Sequence, residues 1–133
     1  MGMRVLLVCL FTIGCSNHAG QGDDGPPADA APGWVQLQCE SGGAGFPPLD
    51  KTCSTAGDCF IALHTKNCCG TQIAVGINTT AAVAFMTAEN SCAAAYPGCG
   101  CAQFPTEAED GRTEDLGAIQ VRCDSGLCAT YIP

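Results

Sequence analysis

The stretch from Cys59 to Gly98, CFIALHTKNCCGTQIAVGINTTAAVAFMTAENSCAAAYPG, decides the fold. Cys59 to Leu63 is a continuous apolar run of strand length. Asn67-Cys68-Cys69-Gly70 interrupts with turn residues. Gln72 to Ile77 then alternates, with Ile73, Val75 and Ile77 on one face, so the two runs are expected to pair as antiparallel neighbours. Asn78-Thr79-Thr80 supplies a helix start and Pro97-Gly98 a stop. Between them Ala81, Phe85, Ala88, Cys92 and Ala95 recur at spacings of four and three, which sets them along one stripe and turns Thr87, Asn90 and Ser91 away from it. Cys92 then shares a core with Phe85, where a disulfide would fasten helix to sheet. This pattern predicts an α+β fold: a small disulfide-rich domain with one helix packed on a small antiparallel sheet.

The flanks add short elements. Trp34 to Cys39 alternates from Val35 and predicts a short strand, followed by a Gly- and Pro-rich loop over Ser41 to Asp50. Thr106 to Asp115 is polar and acidic and reads as a loop. Ile119–Cys123 and Leu127–Tyr131 alternate around Asp124-Ser125-Gly126, a hairpin pattern. With Ser125-Gly126 at the centre of an even-membered turn, Cys123 and Cys128 stand opposite each other, about 4.5–5.5 Å apart at Cα, and a bond between them is expected. An odd-membered loop would instead oppose Cys123 to Leu127. Cys68 and Cys69 are expected to bond distant partners, because a bond between adjacent residues needs a strained backbone.

Before Trp34 the chain changes character. Arg4 precedes a nine-residue apolar run, Val5 to Ile13, which suits a signal peptide and is too short to span a bilayer. Thr12-Ile13-Gly14-Cys15 resembles the lipobox of bacterial lipoproteins, although Thr12 stands where Leu is usual. The resemblance implies removal of residues 1–14, acylation of Cys15 and attachment to a membrane through that lipid. Ser16, not Asp, follows Cys15 and points to the outer membrane of the cell envelope under the sorting rule of that family. Residues 15–33 hold Gly, Pro and Asp without aromatic, Leu, Ile or Val side chains, and so read as a lipid-anchored flexible tether that includes His18. Residues 34–133 form the Cys-rich domain.

Composition narrows the function. The 133 residues carry 12 Cys and a formal charge of −8, with 5 Lys plus Arg against 13 Asp plus Glu. No basic stripe can meet a phosphate backbone, so nucleic acid is excluded as a partner. Cys9 leaves with the signal peptide and Cys15 takes the lipid. An even set then remains for structural disulfides: Cys39, Cys53, Cys59, Cys68, Cys69, Cys92, Cys99, Cys101, Cys123 and Cys128. No pair has the two-residue gap of zinc or thioredoxin-type motifs. Cys99-Gly100-Cys101 could hold a soft metal, but export favours paired thiols, and no metal or cofactor is expected. Glu107, Glu109, Asp110, Glu114 and Asp115 lack the EF-hand order and read as a solvated loop. His64, the one His of the domain, suits a hydrogen-bonded or exposed strand position better than a general base, and no nucleophile elbow surrounds any Ser. Asn78-Thr79-Thr80 matches a glycosylation sequon that helix capping already explains. The expected role is non-enzymatic: an envelope-anchored domain that binds a protein or glycan, or is structural. The alternative is an inhibitor of secreted hydrolases, which would use the loop from Gly42 to Asp50, with Phe46 at its tip and Lys51 nearby.

The order Cys53, Cys59, Cys68-Cys69, Cys99-x-Cys101, Cys123, Cys128 looks like the eight-Cys motif of plant lipid-transfer proteins. That all-helical family has no counterpart to Cys92, and the four residues between Cys123 and Cys128 leave no room for its helical stretch. Gly57-Asp58-Cys59, Cys68-Cys69-Gly70, Cys92, Cys99-Gly100-Cys101-Ala102, and Cys123 with Gly126 and Cys128 are similar to Cys-rich lipoproteins abundant in predatory, gliding soil bacteria. That resemblance runs from Cys53 to Tyr131 and implies an architecture without implying a reaction. For the anchor, a fatty-acid probe is expected to label the wild-type chain and not Cys15→Ser. Equal labelling of both would show that Cys15 is not the acylated residue.

Overall fold

The computed structural model describes residues 32–42, 45–102 and 104–133. The signal peptide, Cys15, Ser16, His18 and nearly all of the tether lie outside the described residues. In chain order the strands are β1 (Trp34–Val35), β2 (Leu49–Asp50), β3 (Cys59–Thr65), β4 (Gln72–Asn78), β5 (Thr106–Glu107), β6 (Thr113–Glu114), β7 (Gln120–Asp124) and β8 (Leu127–Tyr131). The helix α1 (Ala82–Ala95) follows β4. The domain is α+β, small and disulfide-rich. Its strands form three small sheets instead of one: β1-β2, β3-β4-β5-β6 and β7-β8. The second is mixed, because β5 runs parallel to β4 at Ile73 and Glu107.

The β3–β4 hairpin is the centre. Its register pairs Cys59 with Asn78 and Thr65 with Gln72, so both strands are used along their whole length. Side chains alternate across a strand pair, and here both faces are covered. One face carries Phe60, Ala62, Ile73, Val75 and Ile77 into a core with Leu37, Phe46, Leu49, Phe85 and Cys92. The other carries Ile61, Leu63 and Ala74 against Ala108, Ile119 and Ile132. Full burial of a side chain such as Phe85 contributes about 1.5–3 kcal/mol.

The helix starts where the sequence places it. The Asn78 Oδ1 accepts the Thr80 N–H at 2.9 Å, Thr79–Ala81 make a 3-10 turn, and α1 follows. Of the expected stripe, Phe85 and Cys92 are buried, Ala81 and Ala88 are half-buried, and Ala95 is exposed. At the far end the Tyr96 hydroxyl donates to the carbonyls of Lys66 at 2.9 Å and Thr65 at 3.3 Å, which fixes the helix terminus on the end of β3.

Three local expectations need correction. The strand over Trp34–Cys39 shrinks to β1, because only Leu49 and Asp50 supply a partner. The alternation from Val35 to Cys39 survives as burial without a ladder, with Leu37 inside and Gln36 and Gln38 outside. The loop over Thr106–Asp115 is a small hairpin, β5 and β6, with Thr106 and Ala108 buried.

The third correction concerns disulfides. The ten domain Cys are paired as Cys39–Cys92, Cys53–Cys123, Cys59–Cys128, Cys68–Cys99 and Cys69–Cys101. The β7–β8 register does oppose Cys123 to Cys128, through a two-residue turn with Ser125 at φ 52° and Gly126 at φ 82°. The expected bond between them is nevertheless absent, because Cys53 and Cys59 approach the same site. Both observed pairs meet disulfide geometry, with Cα atoms 5.8 and 5.5 Å apart. Bridges spanning 70 and 69 residues restrict the unfolded chain more than bridges within a hairpin, by about 2 kcal/mol each in the chain-entropy model.

The two halves of the fold meet at Gly76. A Cβ there would lie 2.7 Å from the Ala129 nitrogen and from the Cys128 carbonyl carbon, with the backbone of β8 in its path and nothing flexible to yield. Gly76→Ala is expected to destabilise the oxidised domain by about 2–4 kcal/mol in urea unfolding. Gly98→Ala, where a Cβ meets open space, should change stability by less than about 0.5 kcal/mol.

Candidate functional site

The residues singled out for chemistry are turned inward. His64 lies on β3, buried, edge-on to the Phe46 ring at 4.9 Å between centroids. Its Nδ1 is 2.8 Å from the Glu89 carboxylate on α1, and its Nε2 is 3.0 Å from the Gln38 carbonyl. Both ring nitrogens are within hydrogen-bond distance of acceptor oxygens, so neither is free for a substrate or a metal. Glu89 also accepts the Thr65 N–H at 2.8 Å. The cluster joins three segments and presents nothing outward.

In the acidic segment the reading as a solvated loop is corrected at Glu109 and Asp110, which are committed to the fold, while Glu107, Glu114 and Asp115 are exposed. The Glu109 side chain, 26% exposed, accepts the Gly76 N–H at 2.9 Å and the Thr130 N–H at 2.8 Å, and it pairs with Lys51. Asp110 accepts the Ile132 N–H at 3.1 Å and holds Arg112 at 2.7 Å. Asp58 accepts the Ser54 and Thr55 N–H groups at 2.9 and 2.8 Å. Glu109 and Asp110 replace missing ladder partners, and Asp58 caps the 3-10 turn Ala56–Asp58. The Ile132 N–H, followed by those of Arg112, holds the Asp110 carboxyl below the usual carboxylate range, and the Ser54 and Thr55 N–H groups do the same for Asp58. Burial pushes the Tyr96 phenol up, helped by the nearby Glu40 charge.

The cysteines fall into two closed sets. Cys39, Cys68, Cys69, Cys92, Cys99 and Cys101 bond among themselves and clamp the β3–β4 turn and the C-terminal end of α1. Cys53, Cys59, Cys123 and Cys128 bond among themselves and clamp β7–β8 to the start of β3. Sulfurs of Cys53, Cys59 and Cys128 lie within 4.8 Å of one another, a spacing compatible with metal ligation. All three are spent in disulfides, which offer no thiolate.

The proposed inhibitory segment does not keep its shape. Phe46 is 4% exposed and stacks on Phe85 in the core, and Lys51 is paired with Glu109, so neither is presented at a loop tip. The stretch from Gly42 to Asp50 instead ends in β2. Residues 43 and 44 within it lie outside the described residues.

Among the described residues, two surface features bear on binding. A shallow cleft of about 240 Å³ runs beside β4, walled by Ile73 and Val75 and rimmed by Lys66, Glu107 and Glu109. The outward side of α1 exposes Val83, Ala84, Met86, Thr87, Asn90, Ser91 and Ala93 without one charged group. Val83 is 71% and Met86 46% exposed. The inner stripe of this helix is legible in the sequence, and the outer one is signalled by Val83 and Met86, one turn apart. Comparison with family models, with curated proteins and with solved structures finds no match to this chain.

The two depressed carboxyls set the acid response. Each stays ionised to lower pH in the folded chain than in the unfolded one. Their stabilisation is therefore complete above the ordinary Asp value of 3.8 and is lost as pH falls through the folded values. The melting temperature of Asp58→Asn/Asp110→Asn should start lower and fall less between about pH 4.5 and pH 2 than that of the wild type. Parallel curves would contradict this assignment.

Proposed function

We propose that the chain is an exported, envelope-anchored and non-enzymatic binding domain, held to the outer membrane by a lipid on Cys15 and engaging a protein partner through the outer face of α1. The observation that carries the reading is the composition of that face. In a chain with 18 charged residues among 133, its exposed positions are all uncharged, and Val83 and Met86 project into solvent. Exposed apolar side chains grouped on one element mark interaction surfaces more often than singly scattered ones do. A disulfide-braced support adds preorganisation, because the surface is already ordered before a partner arrives. Export is supported by the five disulfides, which form and persist in oxidising compartments.

The other titratable groups favour the same reading. His64, Glu89, Glu109 and Asp110 spend their hydrogen bonds on the fold, which leaves binding as the outward-facing property. In a pull-down from envelope and culture fluid with the oxidised domain as bait, Met86→Lys and Val83→Lys should each weaken capture of a specific protein by roughly tenfold or more. Melting temperatures should stay near wild type, since both sites are exposed. Capture that is indifferent to both substitutions would remove α1 as the binding face.

A further inference from the structure

We propose that Cys53, Cys59, Cys123 and Cys128 form a thiol-operated latch with two pairings, the observed one and a local one that joins Cys53 to Cys59 and Cys123 to Cys128. Three features carry it. The β7–β8 register sets Cys123 directly opposite Cys128. The Cys128 N–H points away from Cys123, to the Lys51 carbonyl at 2.7 Å, which marks this as a non-hydrogen-bonded pair, the kind in which opposed side chains stand closest. The Cys53, Cys59 and Cys128 sulfurs lie within 4.8 Å of one another, so the second half of the exchange needs side-chain rotation and little more.

The chemistry balances without net oxidation or reduction. An external thiolate, such as that of glutathione, attacks Sγ of half-exposed Cys123, forms a mixed disulfide there and releases the Cys53 thiolate. Cys53 attacks Sγ of Cys59, forms the Cys53–Cys59 bond and releases the Cys128 thiolate. Cys128 attacks Sγ of Cys123 across the strand pair, forms the Cys123–Cys128 bond and returns the external thiolate. Two disulfides exist before and after. In the second pairing no covalent bond holds the β7–β8 hairpin to the start of β3, and the latch is open. The other six cysteines form a separate set and keep the helix and the β3–β4 turn clamped throughout. Short separations also close faster than those of 70 and 69 residues, so the local pairing should be the first product of oxidation.

Trypsin reads the latch directly, because cleavage after Lys51, Lys66 and Arg122 places Cys53 and Cys59 on one peptide and Cys123 and Cys128 on another. In the observed pairing the two peptides stay linked; in the local pairing they separate, each carrying an internal bond. The oxidised domain, incubated with substoichiometric reduced glutathione and then quenched with acid, should yield both separated peptides in amounts that rise with time. During oxidative refolding they should appear before the linked pair. The double variant Cys53→Ser/Cys59→Ser should form the Cys123–Cys128 bond and show no free thiol at either position. Peptides that stay linked under glutathione, and whose separated forms never appear during refolding, would overturn the latch. Free thiols at Cys123 and Cys128 in the double variant would overturn it as well.

Discussion

The fold depends on one close approach, the passage of β4 over β8 at Gly76. Backbone meets backbone there with no room for a Cβ, and the two sheets can therefore share a carboxylate. Glu109 takes the Gly76 N–H from one sheet and the Thr130 N–H from the other, while the Thr130 hydroxyl donates to the Ala74 carbonyl at 2.7 Å. The Gly76 N–H and the Ala74 carbonyl belong to the β4 edge, which β5 covers at a single position. An open edge is costly when buried and a pairing hazard when exposed. Side chains close it here. Move β8 outward to accommodate a larger residue at Gly76, and Glu109 can no longer reach both donors.

The same device recurs at other backbone N–H groups that no ladder satisfies. Asp110 serves the Ile132 N–H, Asp58 serves Ser54 and Thr55, and Glu89 serves Thr65. A chain with a formal charge of −8 would ordinarily be read as covered in solvated acids. Here several of those acids act as backbone acceptors, and hydrogen bonds to a charged acceptor are roughly twice as strong as neutral ones. The apolar core is divided in two by the β3–β4 hairpin, each half modest, and the carboxylate contacts with the five disulfides supply what two small cores do not.

The central elements were legible because their signals are local. A continuous run, a turn and an alternating run specify β3 and β4; Asn78 and Pro97 bound α1; Ser125-Gly126 fixes the last hairpin down to its register. What escaped the sequence is non-local. Nothing near Glu109 says that its carboxylate will meet Gly76 and Thr130, 33 and 21 residues away. Phe46 looks like a loop tip beside Pro47 and Pro48 until Phe85 and His64 close around it. Cys123 and Cys128 illustrate the limit sharply: their geometry was readable, but their bonding was decided by Cys53 and Cys59, which arrive from the other half of the chain.

That division has a functional side. Long-range bridges determine which surfaces can change and which cannot. Cys39–Cys92 ties the buried side of α1 to the segment after β1, and Cys68–Cys99 with Cys69–Cys101 pins the chain that follows the helix to the β3–β4 turn. The C-terminal end of the helix is thus held by one closed set of cysteines. The β7–β8 hairpin is held by the other set, together with the Thr52–Leu127 bridge and the Arg122 guanidinium lying 4.8 Å over Tyr131. Because no disulfide joins the two sets, loosening the hairpin leaves the covalent support of α1 untouched. A binding face on the helix and an exchangeable latch on the hairpin are therefore compatible in one small domain, linked through the Gly76 crossing and the carboxylate that spans it.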